Sequence, residues 1–200
     1  MNFAVLASGN GSNLQAIIDA HKKGRIRGEL RLVISDKADA RALARARKAG
    51  VKEVVCVDPK DFASREAFDA ALVAILKKEK IGLVVLAGFM RILSPVFIQA
   101  FRHKIINVHP ALLPAFKGAH AIKDALTYGV KVTGVSVHFV DEDVDHGAII
   151  AQQALDVKPQ DTPDSLALRI HKVEHVLYPK CVDLFLRGKL KVSGRTVKSE

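Results

Sequence analysis

The chain has 200 residues, 49% hydrophobic and 26% charged, with no Trp and a formal net charge of +10; these totals suit a soluble globular fold with a real core. No apolar run approaches the ~18–20 residues of a membrane span, and the N-terminal NFAVLAS is too short, and too poor in basic residues, for a signal peptide. The basic residues are spread over Lys22 to Arg31, Arg41 to Lys48, Lys77 to Lys80 and Arg187 to Lys198 with no RNP-like aromatic motif, so steering of small phosphates or carboxylates is a better reading than a nucleic-acid or membrane surface.

Asn2 to Ala7 reads as a strand and Ser8 to Ser12, SGNGS, as a glycine-rich turn. Leu14, Ile17 and Ile18 at helical spacing predict a helix over Asn13 to Lys23. Glycines let the backbone approach an anion, and a helix start offers free N–H groups. Gly9-Asn10-Gly11-Ser12-Asn13 is neither G-x-G-x-x-G nor a P-loop, which favours a single phosphate over a dinucleotide or triphosphate. The plain alternative is a tight turn with Ser12 as N-cap.

Leu30 to Ser35 follows as a strand, Ala40 to Ala49 as an alanine-rich helix stopped by Gly50, and Glu53 to Val57 as a third strand. Ser64 caps a helix to about Lys80, with Phe68, Leu72, Ile75 and Leu76 on one face. Leu83 to Ala87 is a fourth strand, then comes the loop GFMRIL, and Ser94-Pro95 starts a short helix. Repeated β-α units predict a doubly wound parallel sheet. Cys56 in a strand-like run and Cys181 in a helical one read as buried thiols; with no CxxC, no cysteine-based metal site is expected.

The fifth strand, IINVHPALLP, carries the chemistry. Ile105, Ile106 and Val108 suit a strand covered on both faces. Asn107 and His109 are two apart and point to one side, and Pro110 ends the ladder. Ligands of such sheets bind outside the carboxyl ends of the strands, where an amide and an imidazole suit polarising a carbonyl and moving a proton. The plainer alternative is local hydrogen bonding.

His120 to Tyr128 is a short helix. Val132 to Val140 alternates, with Val135, Val137 and Phe139 on one face and Gly134, Ser136 and His138 on the other; with Ala148 to Val157 it predicts an antiparallel pair added to the sheet. The acidic loop between them fails the EF-hand spacing. Within it, Asp145 brought near His109 would raise the imidazole's pKa. Thr162-Pro163 opens a long last helix to about Arg187, with Leu166, Ile170, Val173, Leu177 and Cys181 inward and a kink expected at Pro179. Ser193 to Glu200 reads as a loose tail. No repeat or linker divides the chain, so one domain over 1–200 is expected. His171-Lys172-Val173-Glu174-His175 matches H-x-x-E-H, but a zinc site is the weaker reading, and Glu174 facing a substrate amine or hydroxyls the better one. No G-x-S-x-G elbow is present and neither cysteine has a nearby base, so the nucleophile is expected to belong to a substrate.

Five motifs in order, SGNGSNLQAII, AGFMRILSP, NVHPALLP, SVHFVDEDVDHGAII and VEHVLYP, resemble the phosphoribosylglycinamide formyltransferases of purine biosynthesis over nearly the whole chain. The resemblance implies a single-domain α/β fold and transfer of a formyl group from 10-formyltetrahydrofolate, a co-substrate, to the amine of 5'-phosphoribosylglycinamide. It implies Asn107, His109 and Asp145 as the catalytic group, with His109 protonated. Gly11, Ser12 and Asn13 would bind the phosphate, and His171 and Glu174 the ribose and glycinamide end. Folate would meet Arg65, Met90, Arg91, Ile92, Leu93, Asn107, Val140, Asp141, Glu142, Asp143, Val144 and Asp145. The phosphate half would span about 1–103, the folate half about 104–190 and the tail 191–200. His146 adds a second imidazole that would compete for Asp145. No metal, nucleic acid or membrane is expected; the implied protein is a cytoplasmic monomer or homodimer. Methionyl-tRNA formyltransferase and formyltetrahydrofolate deformylase share the core but carry additional domains, for which this chain has no room. The alternative from another class is a non-catalytic phosphate- or RNA-binding module, which leaves Asn107, His109 and Asp145 unexplained.

Overall fold

The computed structural model describes residues 1–200. Its strands are β1 (Asn2–Leu6), β2 (Glu29–Ser35), β3 (Glu53–Cys56), β4 (Ile81–Leu86), β5 (Ile105–His109), β6 (Val132–Phe139), β7 (Ile149–Asp156), β8 (Leu190–Ser193) and β9 (Thr196–Ser199). The helices are α1 (Ser12–Lys22), α2 (Arg41–Ala49), α3 (Arg65–Lys78), α4 (Pro95–Ala100), α5 (Ala121–Tyr128) and α6 (Pro163–Leu186). All nine strands join one sheet in the order β3-β2-β1-β4-β5-β6-β7-β9-β8. The first five are parallel, and β6 and β7 add antiparallel, as expected from the alternating sequence.

Alternation along the strands builds a core on each face. Phe3 and Val5 pack with Leu14, Leu43, Ile170 and Tyr178 on the side of α1, α2 and α6. Ala4 and Leu6 pack with Phe68, Leu72 and Phe97 on the side of α3 and α4. Full burial of each such Leu, Ile or Phe is worth about 1.5–3 kcal/mol, which is why the central strands read as nearly continuous apolar runs. Both faces of β6 are covered from Thr133 to Phe139, so Ser136 and His138 are buried too.

The strand order reverses at β1 and β4, whose following helices lie on opposite faces; such a switch point opens a crevice at the carboxyl ends. Two bonds tie the crevice rims: Ser8 N–H donates to the Gly88 carbonyl at 3.0 Å and Met90 N–H to Ser8 Oγ at 2.9 Å. From below, the Tyr178 hydroxyl of α6 lies 2.8 and 2.9 Å from the carbonyls of Leu86 and Ile106, anchoring the last helix to the two strands that end at the crevice. Helix α6 runs on through Pro179 to Leu186.

Three expectations need correction. Ser193 to Glu200 is no loose tail: β8 and β9 form an antiparallel hairpin, and β9 pairs with β7 through Ile149 and Thr196. Leu190, Val192 and Val197 pack against the core, which offsets the cost of ordering a chain end. Cys56 is exposed, because β3 is the edge strand and is covered only in part; Cys181 is buried. The N-cap of α1 is Gly11 in the left-handed region, so Ser12 is the first helical residue rather than the cap.

Candidate active site

Strand β5 delivers Asn107 and His109 to the crevice on one face, and its antiparallel neighbour β6 sets His138 opposite Asn107. The loop from β6 to β7 then folds back and places Asp145 among them. Asp145 Oδ2 lies 3.2 Å from His109 Nδ1 and accepts the Gly118 N–H at 2.8 Å. Asp145 Oδ1 lies 3.5 Å from Asn107 Nδ2 and 3.6 Å from His138 Nε2. Asp145 holds a left-handed backbone, φ +49°, which costs a non-glycine residue about 1–3 kcal/mol and is found where a side chain must be aimed.

Burial pushes the Asp145 carboxyl up, but His138, the Gly118 N–H and the His109 charge outweigh it and hold the pKa at about 2. Asp145 is therefore ionised at any working pH. For His109, burial is the largest influence and pulls the pKa below its ordinary value, with Asp145 and the Phe116 carbonyl opposing it. The carboxylate raises the imidazole's pKa, as argued from sequence, but desolvation is the larger influence and favours the neutral ring over the expected protonated one. The ring nevertheless has acceptors on both sides, since Nε2 lies 2.8 Å from the Phe116 carbonyl oxygen and Nδ1 faces the carboxylate. Only the imidazolium donates to both; the neutral ring leaves one lone pair against an oxygen. His138 Nδ1 lies 2.7 Å from the Phe139 carbonyl oxygen, and its Nε2 lies 3.3 Å from Asn107 Nδ2 and 3.6 Å from Asp145 Oδ1.

Two cavities meet at Gly88 and Met90. The first, about 270 Å³, is lined by Asn107, His109 and His138, by Met90 to Leu93, and by Val140 to Asp145. The second, about 630 Å³, lies over the turn Ser8 to Asn13, with Lys37, His171, Lys172 and His175 around it. Gly11 has φ +71°, and a Cβ there would meet Ala42 Cα at 2.8 Å, so the turn sits hard against the start of α2. Behind the turn, Glu174 Oε2 accepts from Asn13 Nδ2 at 2.8 Å and lies 2.9 Å from His171 Nδ1. The Glu174 contact raises the His171 pKa against a smaller effect of burial. No three His, Cys, Asp or Glu side chains converge as a metal ligand set.

The model of a family described as formyl transferase matches residues 1–182. The chain belongs to the formyl transferase family. It is 45% identical to the phosphoribosylglycinamide formyltransferase of Escherichia coli (strain K12), covering 96% of this chain and 90% of that protein. It is 47% identical over 95% of its length to the trifunctional purine biosynthetic protein adenosine-3 of Drosophila melanogaster, but spans only 14% of that protein. A crystal structure of glycinamide ribonucleotide transformylase 1 from Symbiobacterium toebii superposes with a TM-score of 0.97 at 48% identity, over 100% of this chain and 93% of that one.

In this formyl transferase fold the sequence-predicted Asn107, His109 and Asp145 converge, and Met90 to Leu93 and Val140 to Val144 line the adjoining cavity. Gly11, Ser12, Asn13 and His171 line the second. Glu174 was expected to face a substrate, yet it is buried with Oε2 taken up by Asn13 and His171. Arg65 lies outside the first cavity, its guanidinium beside the neighbouring Glu66, because the first turn of α3 directs it to solvent; Arg91, stacked over Phe68 at 4.9 Å, is the arginine at the wall. His146 does not compete for Asp145 and turns instead to Asp141. The second imidazole is His138, which sequence reasoning passed over. Its signal was a polar side chain on a strand with both faces covered, and only the pairing register puts it opposite Asn107.

Proposed function

We propose that the chain transfers the formyl group of 10-formyltetrahydrofolate to the amine of 5'-phosphoribosylglycinamide, a step of purine biosynthesis. The observation that carries this is the convergence of Asn107, His109 and an ionised Asp145 at the junction of two cavities in a formyl transferase fold. The first cavity takes the folate and the second the phosphoribosyl group. The phosphate sits on the turn at Gly11, Ser12 and Asn13, where the backbone N–H groups opening α1 have no helical partner, and His171 lies toward the ribose with Glu174 behind it.

The amine attacks the formyl carbon, a C–N bond forms, and the carbonyl electron pair moves onto oxygen. Asn107 donates an amide N–H to this oxyanion, giving up one of its long contacts to His138 Nε2 and Asp145 Oδ1. Neutral His109 accepts the proton that the amine loses and becomes the imidazolium that its two acceptors are placed to hold. As the bond to the folate N10 breaks, His109 returns the proton to N10. Reaching the substrate requires Nε2 to exchange the Phe116 carbonyl for a reacting group. Asp145 stabilises the cation formed during the reaction rather than fixing a proton beforehand.

The partners are these small molecules, without nucleic acid or membrane, and the protein acts in the cytoplasm as a monomer or homodimer. No helix is long and apolar enough to cross a membrane. The deciding assay follows tetrahydrofolate release from 10-formyltetrahydrofolate with phosphoribosylglycinamide, methionyl-tRNA or water as acceptor. Formylation of the glycinamide is expected; turnover only with tRNA, or only hydrolysis to formate, overturns the reading.

Gly11→Ala tests the phosphate turn separately. The added Cβ must push the turn off Ala42 and also sits in an unfavourable left-handed conformation. The KM of the phosphoribosyl substrate is expected to rise roughly tenfold, the effect of about 1.4 kcal/mol, with the folate KM changed less than twofold. Equal rises in both would remove the turn from the binding site.

A further inference from the structure

The loop between β6 and β7 carries Asp145 and much of one wall of the first cavity, yet residues Asp141 to Gly147 make no backbone–backbone hydrogen bond. Its neck is pinched shut: a Cβ on Gly147 would clash with the Phe139 carbonyl oxygen, and Phe139 N–H donates to the Ala148 carbonyl at 2.9 Å. Beyond the neck, side chains hold it. Asp145 takes the Gly118 N–H, and His146 Nδ1 lies 2.9 Å from Asp141 Oδ2 and 3.7 Å from Asp143 Oδ2. Asp145 also meets Asn107, His109 and His138, and a further tether comes from the far end of the chain. Arg195, in the turn of the β8–β9 hairpin, donates from Nη2 to the His146 carbonyl at 2.6 Å, and its Nη1 lies 3.0 Å from His146 Nε2. This is the one loop carbonyl that accepts a hydrogen bond. A guanidinium has only donors, so His146 Nε2 is the bare nitrogen and Nδ1 carries its proton toward Asp141. The hairpin itself is fixed, because Thr196 pairs with Ile149 just beyond the loop's exit and Val197 packs on the core. It lies beyond the residues matched by the family model, which end at 182.

We propose that Arg195 is a positioning residue for the formyl transfer: it clasps the loop through His146 and so sets the folate-cavity wall and the aim of Asp145. This rests on the assignment of the first cavity to folate. A single exposed contact is weak, but here it acts on a loop with no backbone ladder of its own. In Arg195→Ala, the KM for 10-formyltetrahydrofolate is expected to rise roughly 3- to 10-fold, the usual effect of losing one or two hydrogen bonds. The KM of the phosphoribosyl substrate should stay within about twofold. Amide hydrogen exchange of residues 141–147 should quicken while the Tm stays unchanged, since Arg195 is an exposed turn residue. Arg195→Lys keeps the charge and one donor but loses the fork, so partial recovery is expected. Arg195→Ala combined with His146→Ala should be no worse than the more damaging single change. Unchanged loop exchange overturns the clasp itself. Faster exchange with no kinetic change overturns the positioning role. Faster exchange with the KM shift on the phosphoribosyl substrate supports the clasp and overturns the cavity assignment.

Discussion

Replacing His109 with alanine is expected to lower kcat by roughly 10²- to 10⁴-fold, the range for losing a positioned proton carrier. The change removes the group that takes the amine proton and the cation that forms beside the oxyanion. Both act on the reacting atoms more than on the bound ground state, so KM for either substrate should move little. Asn107→Ala should cost roughly 10²- to 10³-fold, as for one oxyanion donor. It also leaves His138 Nε2 and Asp145 Oδ1 without the amide they now share. Because the two side chains stabilise one intermediate, the double variant should lose far less than the product of the single losses. The measurement is kcat and both KM values for wild type, the two single variants and the double. Near-wild-type kcat in His109→Ala would sink the mechanism. So would His146→Ala proving the more damaging change, since His146 faces Asp141 and Arg195 rather than the reacting groups.

The parallel sheet was legible because its strands are buried on both faces, and Val84, Val85, Ile105 and Ile106 advertise that directly. Asn107 and His109 stood out as the only polar residues of such a run, placed where ligands of this fold bind. What sequence could not supply is anything that depends on register or on depth. His138 joins Asn107 only through antiparallel pairing, and the burial that lowers the His109 pKa is a property of the assembled crevice. The carboxylate partner could be named, but the desolvation that outweighs it could not. The hairpin was hidden by its composition: Leu190, Val192 and Val197 alternate with lysines and serines about a Gly194-Arg195 turn, and the charge density of the segment reads as tail. Arg65 followed from resemblance alone, which gives a position but not the direction a side chain takes from the first turn of α3.

Asp145→Asn separates a charge role from a packing role, since the amide is nearly isosteric with the carboxylate. The carboxylate raises the His109 pKa against the stronger lowering by burial. Deleting its charge removes one raising influence, so the His109 pKa must fall further. If His109 enters the reaction as the neutral base, activity is lost as pH falls through that pKa. The acid limb of kcat/KM should therefore move to lower pH in the variant. Asp145 itself, at about 2, does not titrate in this window and cannot produce the limb. The plateau should fall at the same time by roughly 10²- to 10⁴-fold, because the imidazolium formed at the intermediate has lost its counter-charge, as when the carboxylate of a catalytic triad is neutralised. Asp164→Asn is the charge-neutralising control, because Asp164 is exposed at the start of α6 and lines neither cavity; its plateau should stay within about twofold of wild type. The profile is recorded with the folate varied and the amine saturating, and again in the reverse arrangement. An acid limb that moves to higher pH, or a plateau that Asp145→Asn leaves intact, would mean that the carboxylate does not act through His109.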